Sequence, residues 1–266
     1  MSMKGWFMYF EHNGFRLAYT VRGNGLPVLL VHAFPLAGAM WTAQMNMLES
    51  HYQVLIPDLR GFGQSSVSTT PSTMPLMADD LHRLLVHLGL KKVVVVGLSM
   101  GGYVAFELLR RYPHVVHALV LADTRATPDP PEAQAARETN AQIAETQGAA
   151  AIAELMLPRL LAPDADPEVV AQVRELILAT APAGIAAALR GMAVRADATD
   201  LLPHIRVPTL LIGGEQDLLT SPAVMQDLQQ AIDGSSLTIV PRAGHLPNLE
   251  QAEVFNTALL KFLHRL

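Results

Sequence analysis

The chain has 266 residues, half of them hydrophobic, and no cysteine. This length suits one large α/β domain or a domain with an insertion. The lack of cysteine excludes disulfides, thiolate catalysis and the usual structural zinc sites. The net charge of -5 is mild and the basic residues are scattered, so we expect no nucleic-acid partner and no membrane partner. The amino terminus resembles neither a signal peptide nor a membrane span, which favours a cytoplasmic protein.

Short apolar runs alternate with segments of helical spacing along most of the chain. The predicted strands are Trp6–Phe10, Phe15–Val21, Val28–Val31, Val54–Ile56, Lys92–Val96, Ala118–Ala122, Thr209–Ile212 and Leu237–Val240. The predicted helices are Ala39–Ser50, Met77–Leu88, Gly102–Arg111, Pro222–Ile232 and Leu249–Leu263. This alternation predicts a mostly parallel sheet flanked by helices, with the first two strands antiparallel. Ligands bind at the carboxyl ends of the strands in such sheets.

One long segment, residues 125–200, breaks the alternation. It shows no strand pattern, 22 of its 76 residues are alanine, and it contains no aromatic residue. Apolar residues at helical spacing predict a run of amphipathic helices. We therefore predict a helical lid over 125–200, inserted between the sixth and seventh strands of an α/β core formed by 1–124 and 201–266. The alternative is a set of ordinary crossover helices, although a single crossover rarely needs so many residues.

The sequence G-L-S-M-G at residues 97–101 has the spacing of a nucleophile elbow. A run of valines precedes it and a helical pattern follows, which is the strand, turn and helix context that the motif requires. The turn exposes the hydroxyl of Ser99, while strand and helix approach so closely that side chains at Gly97 and Gly101 would clash. A serine in this position is a candidate nucleophile.

A serine nucleophile needs a histidine as base and a carboxylate that orients the histidine. His245 lies in a loop after the last predicted strand, before a helix that we expect Asn248 and Gln251 to cap. Asp217 follows the seventh strand at the same sheet edge, so Ser99, Asp217 and His245 form the predicted catalytic triad. Asp123, at the end of the preceding strand, is the alternative acid.

The reaction also needs donors for the oxyanion. The backbone N–H of Met100, directly after the serine, is one candidate. The second should come from the loop after Val28–Val31. Pro35 has no N–H and cannot be that donor. The second predicted donor is therefore the N–H of Phe34, with that of Ala33 as the weaker alternative.

Six motifs, in this order and spacing, resemble the α/β-hydrolase superfamily over nearly the whole chain. They are VHAFP, DLRGFGQS, GLSMGG, LVLADTRA, IGGEQD and AGHLPNLEQ. Within the superfamily the sequence resembles small esterases and 3-oxoadipate enol-lactonases with a helical lid. The resemblance implies an eight-stranded α/β-hydrolase fold, the same triad, the same oxyanion donors, and neither a cofactor nor a metal. Ala33 departs from the glycine that often stands at its position.

These observations predict a serine hydrolase that cleaves carboxylic esters or lactones of small molecules. Epoxide hydrolases and haloalkane dehalogenases of similar layout use an aspartate where this chain has Ser99. Enol-lactonases, perhydrolases and carbon–carbon hydrolases keep the serine and remain alternatives, and Pro35 resembles the perhydrolase type of oxyanion loop. A ligand-sensing receptor with slow or single turnover is the alternative outside enzymes.

The sequence says least about the substrate pocket. We expect apolar side chains near the site to line it, namely those of Trp41, Met156, Met192, Leu218 and Leu246. These residue types are also common in plain cores. Arg125 could hold a carboxylate of the substrate, although we favour a structural ion pair for it.

Overall fold

The computed structural model describes residues 7–68 and 70–266. In these residues eight strands form one sheet in the order β1-β2-β4-β3-β5-β6-β7-β8. The strands are β1 Met8–His12, β2 Phe15–Arg22, β3 Leu26–Val31, β4 Tyr52–Pro57, β5 Val93–Leu98, β6 Val116–Ala122, β7 Thr209–Gly214 and β8 Ser236–Val240. Each predicted strand is confirmed with ends shifted by a few residues, except that Trp6 lies outside the described residues.

The pairing directions agree with the predicted sheet. β1 and β2 are antiparallel to each other, and β2 is antiparallel to β4. All other neighbours are parallel. All residues of β5 and β7 are buried, as expected for central strands covered on both faces. The carboxyl ends of the parallel strands therefore meet at one edge.

Nine α-helices flank the sheet or follow its edge in the described chain. They are α1 Thr42–Leu48, α2 Met74–His87, α3 Met100–Arg111, α4 Pro131–Leu160, α5 Pro167–Leu178, α6 Pro182–Ala193, α7 Pro222–Ala231, α8 Pro247–Glu250 and α9 Ala252–Leu263. The predicted helix Ala39–Ser50 is a 3-10 turn followed by the shorter α1. The predicted helix Leu249–Leu263 is divided between α8 and α9.

Three helices, α4 to α6, connect β6 to β7. α4 is bent at Gly148, where φ is 83°, a backbone conformation that glycine adopts readily. α6 packs against α4, and Arg190 of α6 makes ion pairs with Glu138 and Glu145 of α4. α6 also lies close to the core at Gly184. A Cβ atom on Gly184 would lie only 1.9 Å from the carbonyl oxygen of Gly61. The connection is therefore held against the core by backbone contact.

None of the described helices, taken singly, has the length and apolar character needed to cross a bilayer. α5 and α6 reach that length and apolarity only as a pair, and they meet at 93°. Within the fold, eight of the twelve residues of α6 are buried.

Candidate active site

Ser99 lies on a sharp turn between β5 and α3. Its backbone has φ 55° and ψ -113°, a strained conformation for a residue with a side chain. The Ser99 N–H donates to the carbonyl of Ala122 at 2.9 Å, and the Thr124 hydroxyl donates to the Ser99 carbonyl at 2.8 Å. Contacts with the end of β6 therefore stabilise the turn.

The glycines around Ser99 are required by close backbone approach. A Cβ on Gly97 would lie 2.4 Å from the carbonyl oxygen of Gly101, and a Cβ on Gly101 would lie 2.2 Å from that of Val31. A Cβ on Gly102 would lie 2.4 Å from the hydroxyl of Thr124. Any of these side chains would force the strand and helix apart and move the serine.

The structure brings Ser99, His245 and Asp217 together in a hydrogen-bonded line. The Nε2 atom of His245 lies 2.7 Å from the Ser99 Oγ, and its Nδ1 atom lies 2.7 Å from an oxygen of Asp217. His245 and Asp217 are buried, whereas Ser99 is partly exposed. This order of groups allows the imidazole to accept the serine proton.

Asp217 is kept ionised by the groups around it. Burial by itself raises the pKa of Asp217, but the electrostatic interaction with His245 and the hydrogen bond from its ring act in the opposite direction. The N–H groups of Leu219 and Thr220 also donate to Asp217, at 2.7 and 3.0 Å. Together these contacts lower the pKa of Asp217 to about 2. The carboxylate therefore stays negative over the working pH range.

Asp123 is a second carboxyl group beneath this line. It is fully buried, with φ 42°, and one oxygen accepts from the Gly214 N–H at 2.7 Å. Its other oxygen has no donor among the described residues. Burial and the negative charge of Asp217 raise the pKa of Asp123 well above its usual value. Burial and Asp217 therefore favour the neutral acid form of Asp123, and the imidazole of His245 hydrogen bonds to Asp217 instead.

The three groups Asp123, Asp217 and His245 have possible ligand atoms within 4.8 Å of one another. A metal ion needs a free ring nitrogen on the histidine. Both nitrogens of His245 are already hydrogen bonded, to Ser99 and Asp217. A metal ion at this cluster would therefore have to displace one of the hydrogen bonds of His245.

Replacing Asp123 with asparagine should stabilise the protein at neutral and alkaline pH. The amide resembles the protonated acid, can donate toward Asp217, and is tolerated at positive φ. Burial makes the wild-type fold bind the proton of Asp123 more tightly than the unfolded chain does. The stability contributed by Asp123 is therefore complete below the unfolded pKa and is lost as pH rises toward the folded pKa. We expect the melting temperature of Asp123→Asn to exceed that of wild type at pH 8. The increase should be about 2 to 4 °C for each kcal/mol gained in the free energy of unfolding.

Thermal unfolding of both proteins at pH 5 and pH 8 measures this difference. The advantage of Asp123→Asn should shrink at pH 5. Asp123→Ala is the control, because it leaves the Gly214 N–H unpaired and should be destabilised at both pH values. An advantage of Asp123→Asn that is equal at both pH values would contradict a neutral Asp123.

The predicted oxyanion donors are the N–H groups of Phe34, in the loop after β3, and of Met100, the residue after Ser99. Met100 is the first residue of α3, where helical N–H groups have no partner within the helix. In the described part of the chain, the N–H groups of Phe34 and Met100 donate to no other residue. The loop of Phe34 is supported by His32, whose Nε2 accepts from the Leu59 N–H at 2.9 Å. Burial lowers the pKa of His32 to about 4, so this ring is neutral.

Glu250 is a supporting residue that the sequence analysis missed. It accepts hydrogen bonds from the N–H groups of Gly244, Leu246 and Ala162. The prediction that Asn248 and Gln251 cap the helix after His245 is wrong. Asn248 instead donates to the carbonyl of Met40 at 3.1 Å. Glu250 therefore holds the histidine loop and joins it to the chain that follows α4.

A cavity of about 390 Å³ opens above Ser99 and His245. Three of the predicted pocket residues, Met156, Met192 and Leu218, line it. The prediction for Trp41 and Leu246 needs correction, because neither lines the cavity. Trp41 is buried with its ring centroid 5.9 Å from that of Phe255, and Leu246, next to His245 in the chain, is fully buried.

The cavity wall is more polar than the sequence suggested. Besides apolar side chains, it includes Tyr103, Arg125, Asp129, Arg137, Asn140 and Arg159. The expected ion pair of Arg125 is not found among the described residues. Its guanidinium donates instead to the backbone carbonyl of Leu219. Arg137 pairs with Asp129, which also accepts from Arg195.

The fold and this site define the chain as an α/β-hydrolase. The family model described as alpha/beta hydrolase fold matches residues 27–252, so the chain belongs to that family. Among solved structures, a thermophilic esterase from Thermogutta terrifontis with malate bound is similar, with a TM-score of 0.94 and 44% identity. The match covers 98% of this chain and 99% of the esterase.

Two enol-lactonases are also similar over most of their length. The enol-lactonase from Burkholderia xenovorans LB400 has a TM-score of 0.90 and 31% identity, over 97% of this chain and 100% of that chain. A 3-oxoadipate enol-lactonase from Acinetobacter baylyi is 30% identical over 230 residues, or 85% of this chain and 84% of the enzyme. The chain is thus a hydrolase that resembles the esterase and enol-lactonase group.

Proposed function

We propose that this protein hydrolyses carboxylic esters or lactones of small molecules through an acyl-serine intermediate. The observation that carries the proposal is the line of hydrogen bonds from Ser99 through His245 to Asp217, with 2.7 Å at each step. This line lies at the floor of a cavity large enough for a small substrate. The esterase and enol-lactonase relatives support the same chemistry.

In the proposed reaction, Ser99 Oγ attacks the substrate carbonyl carbon while His245 Nε2 accepts the serine proton. The N–H groups of Phe34 and Met100 stabilise the negative oxygen of the tetrahedral intermediate. His245 then gives the proton to the leaving alcohol oxygen, and the acyl group remains on Ser99. Water attacks this ester by the same steps in reverse and releases the acid. Asp217 holds the ring tautomer throughout.

The helices over residues 125–200 are proposed as a lid on this site. α4 contributes Met156 to the cavity and α6 contributes Met192. The carbonyl of Leu160, at the end of α4, accepts from the His245 N–H at 2.9 Å. A segment in this position covers the reacting bond and limits the water that reaches it.

Steady-state hydrolysis of a panel of 4-nitrophenyl esters and small lactones tests the proposed function. We expect many turnovers per protein molecule, with substrates that fit the cavity hydrolysed fastest. A receptor that keeps the same residues would release about one product per molecule and then stop. One product per molecule across the whole panel would overturn the proposal.

A further inference from the structure

We propose that Glu250 is a positioning residue that ties the reactive position of His245 to the docking of the α4 end, residues 157–162. The α4 end and the histidine loop, residues 241–246, then act as one unit, and the base is aligned only while the two are in contact. The inference rests on the proposed function, because it concerns the base of the same reaction. Its basis is a junction at which one carboxylate binds both segments.

The carboxylate of Glu250 spans this junction. One oxygen accepts from the N–H groups of Gly244 at 3.0 Å and Leu246 at 3.3 Å, the two residues that flank His245. The other oxygen accepts from the N–H of Ala162 at 2.7 Å. A carboxylate has two accepting oxygens, whereas the neutral amide of glutamine has one oxygen and an N–H₂ group that can only donate. The charged form is therefore the one that can hold both segments at once.

His245 is also bound directly to the α4 end. Its backbone N–H donates to the carbonyl of Leu160 at 2.9 Å. Leu160 is fully buried and lines the cavity, and His245 is only 2% exposed. If the α4 end moved away, this N–H would lose its acceptor in a place that water reaches poorly, which is unfavourable. The residue that borders the substrate space thus also holds the backbone of the base.

The histidine loop is packed without spare room at Gly244. A Cβ on Gly244 would lie 2.6 Å from the backbone nitrogen of Ala162. On the other side, a Cβ on Gly214, at the end of β7, would lie 1.8 Å from the carbonyl oxygen of Gly244. The N–H of Gln216, in the loop after β7, donates to the carbonyl of Ala243 at 2.8 Å. The loop therefore has support on two sides, and the α4 end supplies one of them.

The alignment of the His245 ring is sensitive to this support. The ring has to keep 2.7 Å to Ser99 Oγ on one side and 2.7 Å to Asp217 on the other. A shift of the loop backbone changes both distances together, and a misplacement of about 1 Å can cost about 100-fold in rate. Glu250 therefore acts on catalysis through His245 while it touches neither substrate nor the reacting atoms.

Steady-state hydrolysis of 4-nitrophenyl acetate by Glu250→Gln tests the positioning role. We expect kcat and kcat/KM to fall together by about ten- to 100-fold with little change in KM, because only the transition state requires an aligned base. Glu253→Gln is the matched control, since it makes the same chemical change at an exposed position of α9, and it should retain the wild-type kcat. A lower melting temperature of Glu250→Gln with an unchanged kcat would show a merely structural role and overturn the proposal.

Hydrogen exchange measured by mass spectrometry, well below the unfolding temperature, tests the coupling between the two segments. In Glu250→Gln, peptides covering 157–164 and 241–249 should both exchange faster than in wild type, while a peptide covering 93–98 should be unchanged. Faster exchange in 241–249 alone would show that Glu250 holds only its own loop, and it would overturn the coupling. Exchange needs no turnover, so coupled exchange in a protein that hydrolyses no ester would support this inference and count against the proposed function.

Ile152→Ala approaches the same junction from the side of α4. Ile152 is a buried residue of this helix, ten positions before Ala162, and its truncation should loosen the packing of the α4 end. We expect faster exchange in 157–164 and also in 241–249, although the histidine loop is unaltered in sequence. This variant tests the coupling even if Glu250→Gln fails to fold. Faster exchange confined to 157–164 would overturn it.

Discussion

Ser99→Ala should lose about 10⁶-fold in kcat for a short-chain 4-nitrophenyl ester, the scale seen when a serine nucleophile is removed. The reason is that the hydroxyl forms the covalent bond to the acyl group, and no neighbouring group can replace it. The fold should survive, because Ser99 holds its turn through backbone contacts to Ala122 and Thr124. Steady-state rates and thermal unfolding of the purified variant measure both expectations.

Ser221→Ala is a matched control for the loss of a hydroxyl. Ser221 is exposed on the loop after β7, and its side chain caps no helix. Its variant should retain the wild-type kcat. Substantial ester turnover by Ser99→Ala, with rates within tenfold of wild type, would show that another group is the nucleophile.

Asp217→Asn should lose about 10⁴-fold in kcat while the fold is kept. An amide facing His245 Nδ1 would donate to the ring instead of accepting from it. The proton would then sit on Nε2, which could no longer take the proton of Ser99. Steady-state rates at pH 7 to 9 measure this loss. It should be similar across that range, because the pKa of Asp217 lies near 2 and the wild-type carboxylate is ionised throughout.

Asp123→Asn is the matched control for this prediction, since it makes the same chemical change within the same cluster. Because the fold favours the neutral form of Asp123 and His245 hydrogen bonds to Asp217, the amide variant of Asp123 should keep kcat within a few fold of wild type. The opposite pattern, with activity lost in Asp123→Asn and retained in Asp217→Asn, would assign the orienting acid to Asp123.

The strands and the serine turn were predictable because local patterns determine them. β5 is a continuous apolar run that needs burial on both faces, and the glycines beside Ser99 reflect contacts within a few residues of chain. The positions of Asp217 and His245, each after a predicted strand, then make them candidates for the acid and the base. The strands and the turn follow from periodicity and motif spacing, whereas the sequence left Asp123 as an alternative to Asp217.

The support around the site was less predictable because it depends on contacts between distant segments. Glu250 binds the N–H of Ala162, which lies 88 residues away in the chain, and no local pattern indicates that contact. The sequence is compatible with Trp41 in a pocket or in the core. In the structure its ring packs against Phe255 in the core. Arg159 lines the cavity because of the way α4 lies over the sheet edge. Helical periodicity does not predict that placement.

The covalent intermediate on Ser99 is the central claim, and labelling with a 4-nitrophenyl alkylphosphonate tests it most directly. The phosphorus resembles the tetrahedral intermediate and remains bonded to the attacking oxygen. Intact-mass measurement should show one label per molecule, peptide mapping should place it on Ser99, and Ser99→Ala should remain unlabelled. A label on another residue, or equal labelling of Ser99→Ala, would contradict the account.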